Sequence, residues 1–102
     1  MKQMIEWTFV LERYLPAHIN AAIKAVSASL LPQVEELRLR SGRPLMFYTA
    51  ERGYCVYADG RVGSHSGLIV TEEDVEQTYL AITGKSPYAF EDEIRQGFLT
   101  LS

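Results

Sequence analysis

Two short glycine-containing motifs in the sequence could bind phosphate groups, and the first is Gly84-Lys85-Ser86. These residue types end a phosphate-binding loop, but the complete motif needs another glycine five residues before Gly84, where the chain has Tyr79. That loop also follows a strand, whereas the residues before Gly84 have the periodicity of a helix. We therefore interpret Gly84-Lys85-Ser86 as a turn between two helices and expect no nucleotide site there.

The second motif, Gly60-Arg61-Val62-Gly63, matches the GxxG loop with which KH domains clamp a nucleic-acid backbone. In KH domains this loop lies between two helices, but here it follows a predicted strand and Asp59. The chain carries 10 basic and 13 acidic residues, so its net charge of −3 gives no general attraction to nucleic acid. We expect no nucleic-acid partner, and a KH-like nucleic-acid-binding module remains the alternative function.

The other reactive side chains are scattered along the sequence. Carboxylates at Glu35-Glu36 and Glu91-Asp92-Glu93 are of the type used in acid–base catalysis, yet a solvated surface explains both. His18 and His65 have no partner at metal-ligand spacing. The single cysteine, Cys55, lies in a strand-like run that predicts a buried, inert thiol. We therefore predict no catalytic residue, metal or cofactor in this segment.

The strongest candidate site is a group of three arginines in one predicted hairpin: Arg38, Arg40 and Arg43. Residues 34–48 alternate between apolar and charged side chains as a half-buried strand does, break at Ser41-Gly42, and resume with a second apolar run. Arginine suits docking because its planar guanidinium binds a carboxylate through two hydrogen bonds. We predict that the three arginines share one interaction surface for another domain or subunit.

The helices and strands around this hairpin are predicted from the periodicity of apolar residues and from the positions of turn residues. An amphipathic helix is predicted over residues 16–29, with Pro16 in its first turn and Pro32 after its end. Residues 4–13 fit either a helix or a strand. The predicted strands and strand-like runs are residues 34–49, 54–57, 61–66 and 67–70, of which 61–66 is a loop or a weak strand.

Two further helices and a strand are predicted in the last third of the chain. One helix begins after Thr71, with Asp74 completing a capping box, and has Gly84 as its C-cap. The next runs from Ser86-Pro87 to Gly97. Residues 98–101 then form a strand, which we expect to be an edge that pairs on one side only because the chain is truncated there.

These elements predict a single α+β domain over residues 1–102, with helices packed on a small antiparallel sheet. The side chains predicted to form its core are Leu37, Leu39, Phe47, Val75, Tyr79, Phe90 and Ile94. The N-terminus lacks the pattern of a signal peptide, and no stretch reaches the roughly 18–20 apolar residues of a membrane span. We expect no direct insertion into a membrane.

Three stretches resemble the N-terminal part of the stage III sporulation protein AA family of endospore-forming bacteria. The first runs from Glu35 to Arg40 and continues with Gly42-Arg43-Pro44-Leu45, and the second is residues 69–75. The third consists of Ser86, Tyr88-Ala89, Glu91, residues 93–97 and Thr100-Leu101. Together they cover nearly the whole chain.

This resemblance implies more than the residues themselves do. The family resembles secretion-type ATPases whose nucleotide-binding motifs lie C-terminal to this region, so this chain would be the non-catalytic N-terminal domain, truncated before the ATPase domain. That missing domain would bind ATP and Mg and form a hexamer. The implied partners are the ATPase domain, neighbouring subunits and membrane-channel sporulation proteins. The implied location is the mother-cell cytoplasm, peripheral to the membrane through a partner, where the ATPase powers or assembles a channel into the forespore.

The same resemblance carries an expectation about the fold. The strand–SGRP–strand pattern is also similar to the PAS-like N-terminal domain of pilus-retraction and type II secretion ATPases. A PAS-like arrangement of the sheet and its helices is therefore implied.

Overall fold

Two helices and five short strands make up the described part of the chain, which in this computed structural model is residues 11–85 and 99–102. The helices are α1 (Ala17–Lys24) and α2 (Glu72–Lys85), and a 3-10 turn covers Leu31–Gln33. The strands are β1 (Glu36–Leu39), β2 (Met46–Tyr48), β3 (Gly53–Val56), β4 (Val62–Gly63) and β5 (Leu99–Leu101). The predicted helix from Ser86-Pro87 to Gly97, with Phe90, Ile94 and Glu91-Asp92-Glu93, lies outside the described residues, as do residues 4–10 and Phe98.

The strands form one sheet in the order β4-β3-β2-β1-β5. Three pairs are antiparallel, and the fourth, β1 with β5, is parallel, with Leu37 opposite Leu99 and Leu39 opposite Leu101. The α+β class is confirmed, and the sheet is mixed instead of wholly antiparallel. Among the described strands β5 has one neighbour, as predicted for the edge.

The core lies on the face of the sheet toward which the apolar side chains of the hairpin point. Leu37, Leu39 and Phe47 are fully buried, as predicted from their alternation. Leu99 joins them from β5, and Val75 of α2 packs against the cluster while remaining partly exposed. Burying each large aliphatic or aromatic side chain contributes about 1.5–3 kcal/mol, so this layer fixes which face of β1 points inward.

The prediction that Tyr79 belongs to the core is wrong, because its side chain is 58% exposed. The buried stripe of α2 is rotated toward Asp74, Thr78 and Ile82, which recur every fourth residue. Thr78 can face inward because its hydroxyl donates to the carbonyl oxygen of Asp74 at 2.8 Å and so is satisfied within the helix. Gly84 is not the C-cap either, since α2 continues to Lys85.

The capping box at the start of α2 is present as predicted. The Thr71 hydroxyl accepts from the backbone N–H of Asp74 at 3.1 Å, and the Asp74 carboxylate accepts from the backbone N–H of Thr71 at 3.0 Å. His18 of α1 adds a contact at 3.2 Å from its Nε2 to the Asp74 Oδ2. Burial favours the protonated carboxyl, but these hydrogen bonds outweigh it, so the pKa of Asp74 lies below its usual value.

Helix α1 is shorter than the predicted 16–29. It begins after Pro16, which is the N-cap, and ends at Lys24 with Ala25 as C-cap. The Ser27 hydroxyl accepts from the backbone N–H of Ser29 at 3.2 Å, a local hydrogen bond that competes with the helical ladder. Gly60 has a φ of +90°, and a Cβ there would lie 2.4 Å from the carbonyl carbon of Ala25, so the β3–β4 turn packs directly on the helix end.

The turn after β1 depends on Gly42, whose φ is +80°. The backbone N–H of Arg43 donates to the carbonyl oxygen of Arg40 at 3.0 Å, which closes a four-residue turn with Gly42 at its third position. The run 67–70 then lies beside the turn, where Gly42 donates to the Val70 carbonyl at 2.7 Å and Val70 donates to the Arg43 carbonyl at 2.9 Å. Two backbone hydrogen bonds to Val70 therefore hold the turn.

We predict that Asp74→Asn removes a pH-dependent part of the stability. A lowered carboxyl pKa contributes stability that is fully present above the unfolded-state value near 3.8 and is lost as the pH falls through the folded-state pKa. At pH 7 the variant should therefore be less stable by about 1 kcal/mol, because a charged acceptor is replaced by a neutral one. Below pH 4 this difference should shrink.

Urea unfolding of the variant and of the original chain at pH 7, 5 and 3 measures this difference in the free energy of unfolding. Glu73→Gln, on the exposed side of the same helical turn, is the matched control and should show a much smaller change at every pH. A constant difference between Asp74→Asn and the original chain across that range would contradict the prediction.

Candidate interaction surface

Arg38, Arg40 and Arg43 surround one shallow depression of about 190 Å³ on the sheet face opposite the core. Pro44, Met46 and Tyr48 complete its lining, and we call these six residues the arginine surface. The alternation along β1 directs Arg38 outward because Leu37 and Leu39 point inward. The Gly42 turn then returns the chain so that Arg43 lies on the same side.

Arg38 is bound within the domain. Its Nη2 lies 3.2 Å from both carboxylate oxygens of Glu36, and its Nε donates to the same carboxylate at 3.3 Å. The guanidinium also stacks 4.3 Å above the centre of the Tyr48 ring and donates to the Tyr48 hydroxyl at 3.2 Å. Arg38 is 26% exposed, so it forms the floor of the depression and its charge is largely compensated.

Glu36 has a second partner on β5. The Thr100 hydroxyl donates to its Oε2 at 2.6 Å. A polar row of four side chains therefore connects β5, β1 and β2 across the outer face of the sheet: Thr100, Glu36, Arg38 and Tyr48. The sequence analysis missed this row because Thr100 is 64 residues from Glu36 and no local pattern links them.

Arg40 and Arg43 differ from Arg38 because both are exposed. Within residues 11–85 and 99–102 neither makes an ion pair, and no carboxylate lines the depression. In the described part of the chain, two positive charges without an ion pair therefore lie beside the compensated Arg38. A guanidinium in this state can bind an incoming carboxylate through two parallel hydrogen bonds.

The described residues of the two glycine motifs do not have the local structure of the loops that the motifs resemble. Gly84 and Lys85 belong to the last turn of α2, so their backbone N–H groups donate to carbonyl groups of the preceding turn. These N–H groups are therefore not available to bind a phosphate. The GxxG motif begins in the turn after β3 and ends in strand β4. A KH domain instead places this motif between two helices. The geometry does not support the KH-like alternative.

The scattered reactive residues do not combine into a catalytic centre in the described part of the chain. Glu35 and His65 are exposed, and His18 contacts only the capping carboxylate of Asp74. Cys55 is buried, as predicted. No group of three or more His, Cys, Asp or Glu side chains in residues 11–85 and 99–102 has the geometry to hold a metal ion. A search of the same residues for a membrane-spanning helix finds none with the necessary length and apolar character.

We predict that Arg38 and Arg40 differ in their effect on stability. Arg38→Ala removes an aromatic stack and leaves the half-buried Glu36 without its cation, so it should lower the free energy of unfolding by about 1–2 kcal/mol. Arg40→Ala should change it by about 0.5 kcal/mol or less, because Arg40 is exposed and has no ion pair in the described residues. Chemical denaturation of the two variants provides the comparison, and equal losses would contradict the assigned contacts.

Comparison with known proteins places this architecture in a family. No curated protein and no solved structure matches the chain. A family model described as "Sporulation stage III, protein AA" matches residues 11–102, which include the whole sheet, both helices and the arginine surface. The chain belongs to the sporulation stage III protein AA family.

Proposed function

We propose that this chain is the non-catalytic N-terminal domain of a sporulation ATPase, and that its arginine surface docks an acidic surface of the ATPase domain or of a neighbouring subunit. The assembled ATPase would power or assemble the channel between mother cell and forespore from the mother-cell cytoplasm. Membership of the sporulation family supports the biological setting. The resemblance to secretion-type ATPases supports the division into a docking domain and a catalytic domain.

One observation carries the docking role: within residues 11–85 and 99–102 Arg40 and Arg43 make no ion pair, and they line a depression on a chain whose net charge is −3. Arg61, also exposed, is by contrast balanced by Asp59 at 2.9 Å. The depression instead contains apolar and aromatic side chains next to the two cations. Arginine and tyrosine are enriched in interfaces, where a planar cation and a ring provide both contact area and directed hydrogen bonds.

The rigid support beneath these cations favours a docking role over a solvated face. Glu36 and Tyr48 hold Arg38 from two strands, and hydrogen bonds to Val70 hold the Gly42 turn. A partner that binds here therefore finds the Arg38 side chain and the backbone of the turn already ordered. Less entropy lost on binding leaves more of the contact energy as affinity.

We expect no ATP hydrolysis by this chain alone, because the motif lacks the first glycine of a phosphate-binding loop and its Gly84 and Lys85 lie in a helix. Phosphate release from ATP and Mg should equal that of a buffer blank. Lys85→Ala is the control variant and should give the same value. Hydrolysis that disappears in Lys85→Ala would overturn the non-catalytic assignment.

We also expect Arg40→Glu combined with Arg43→Glu to impair assembly of the full-length protein. Reversing both charges replaces attraction to an acidic partner by repulsion, while the Tm of the 102-residue chain should change little because both side chains are exposed. Analytical ultracentrifugation of the full-length protein measures assembly.

The matched control is Arg52→Glu combined with Arg61→Glu, which makes the same charge change at exposed positions near the other edge of the sheet. The control should assemble normally. Normal assembly of the Arg40 and Arg43 variant would contradict the docking role, and so would equal impairment in both variants.

A further inference from the structure

A second recess lies between the first turns of α2 and the end of β5. It has a volume of about 600 Å³. Val75 and Tyr79 line it from α2, and Leu101 lines it from β5. Tyr79, which does not belong to the core, is 58% exposed here. An exposed aromatic ring beside aliphatic side chains in a recess is typical of a contact surface and not of a solvated helix face.

The rim of this recess is acidic. Glu72, Glu73 and Glu76 line it, and all three are exposed. None of them makes an ion pair within residues 11–85 and 99–102. We call the recess with its three glutamates the acidic groove. Its chemistry, apolar and aromatic with unpaired anions, is complementary to that of the arginine surface, which is apolar and aromatic with unpaired cations.

The two surfaces lie on opposite sides of the sheet, and among the described residues no ion pair joins them. Leu101 is opposite Leu39 in the sheet, so the acidic groove lies on the helix-covered side, whereas Arg38, Met46 and Tyr48 lie on the other side. The turn at Ser41 separates them, since Ser41 lines the acidic groove and its neighbour Arg40 lines the arginine surface. Each copy therefore exposes both a donor and an acceptor surface.

We propose that the partner of the arginine surface is the acidic groove of a second copy of this chain, an inference that rests on the docking role proposed above. Arg40 and Arg43 of one copy bind Glu73 and Glu76 of the next, and Tyr79 of that copy packs against the apolar lining beside Met46. Because two different surfaces meet, the contact is head-to-tail, and it builds a closed ring or an open row of copies instead of a two-fold dimer.

A charge-exchange experiment with the 102-residue chain tests this pairing. One variant carries Arg40→Glu and Arg43→Glu, so that both of its surfaces are acidic, and a second carries Glu73→Arg and Glu76→Arg, so that both are basic. The original chain should associate with rising concentration up to about 1 mM, as expected for a single weak interface. Each variant alone should associate at least about tenfold more weakly, because like charges then face each other.

The decisive samples are those that restore complementarity. An equimolar mixture of the two variants should associate at least as well as the original chain, and so should a chain that carries all four changes. Glu51→Arg combined with Asp59→Arg, at exposed positions in the turns on either side of β3, is the control for charge alone: introduced into the acidic variant itself, it restores the net charge and should not restore self-association. Sedimentation velocity at low and high salt follows each sample, and the salt should weaken every complementary pair.

Two outcomes overturn the inference. The first is an original chain that stays monomeric at about 1 mM. The second is association that persists in each variant alone, which would indicate pairing through the open edge of β5, because main-chain pairing does not depend on these charges. Loss of full-length assembly in the Arg40 and Arg43 variant without rescue by the glutamate changes would retain the docking role and reject the acidic groove as its partner.

Discussion

The alternation of side chains along β1 is the constraint on which the rest of the structure depends. Leu37 and Leu39 are fully buried, so the outward positions are fixed for Glu36 and Arg38. A shift of one residue would bury a carboxylate and a guanidinium and expose two leucines, which is far more costly than any surface contact in the molecule. β1 also has a strand on each side, so this register is passed to β2 through Phe47 and to β5 through Leu99.

The outer face of the sheet uses this fixed register to organise its polar side chains. Glu36 receives the Thr100 hydroxyl from one neighbouring strand, while Arg38 stacks on Tyr48 of the other. These contacts need exact strand positions, because a hydrogen bond of 2.6 Å tolerates little displacement. The polar row therefore depends on the core and also reinforces it, since separating either strand from β1 breaks a contact that a half-buried charge requires.

Local patterns in the sequence were sufficient for the fold class, the hairpin and the capping box of α2, because each rests on residues a few positions apart. They failed where a long-range contact overrides a local preference. The parallel pairing of β5 with β1 and the Thr100–Glu36 bond join residues more than 60 positions apart. The outward position of Tyr79 follows from Thr78 and Asp74 satisfying their polar groups inside the helix. Hydrophobic periodicity ranks a tyrosine above a threonine for burial. It cannot show that the polar groups of Thr78 and Asp74 already have hydrogen-bond partners.

The division between Arg38 and the other two arginines limits the kind of partner that the proposed docking surface would accept. Three free guanidinium groups around a depression of about 190 Å³ would repel one another and favour a highly charged ligand. Glu36 compensates one of them, so within residues 11–85 and 99–102 two cations without an ion pair remain, next to Pro44, Met46 and Tyr48. Two carboxylates with an apolar or aromatic group between them are then enough to neutralise and cover the surface. A folded acidic patch with an exposed ring meets this requirement better than a polyanion does, because a polyanion would leave the apolar lining uncovered and bring more charge than the surface can pair.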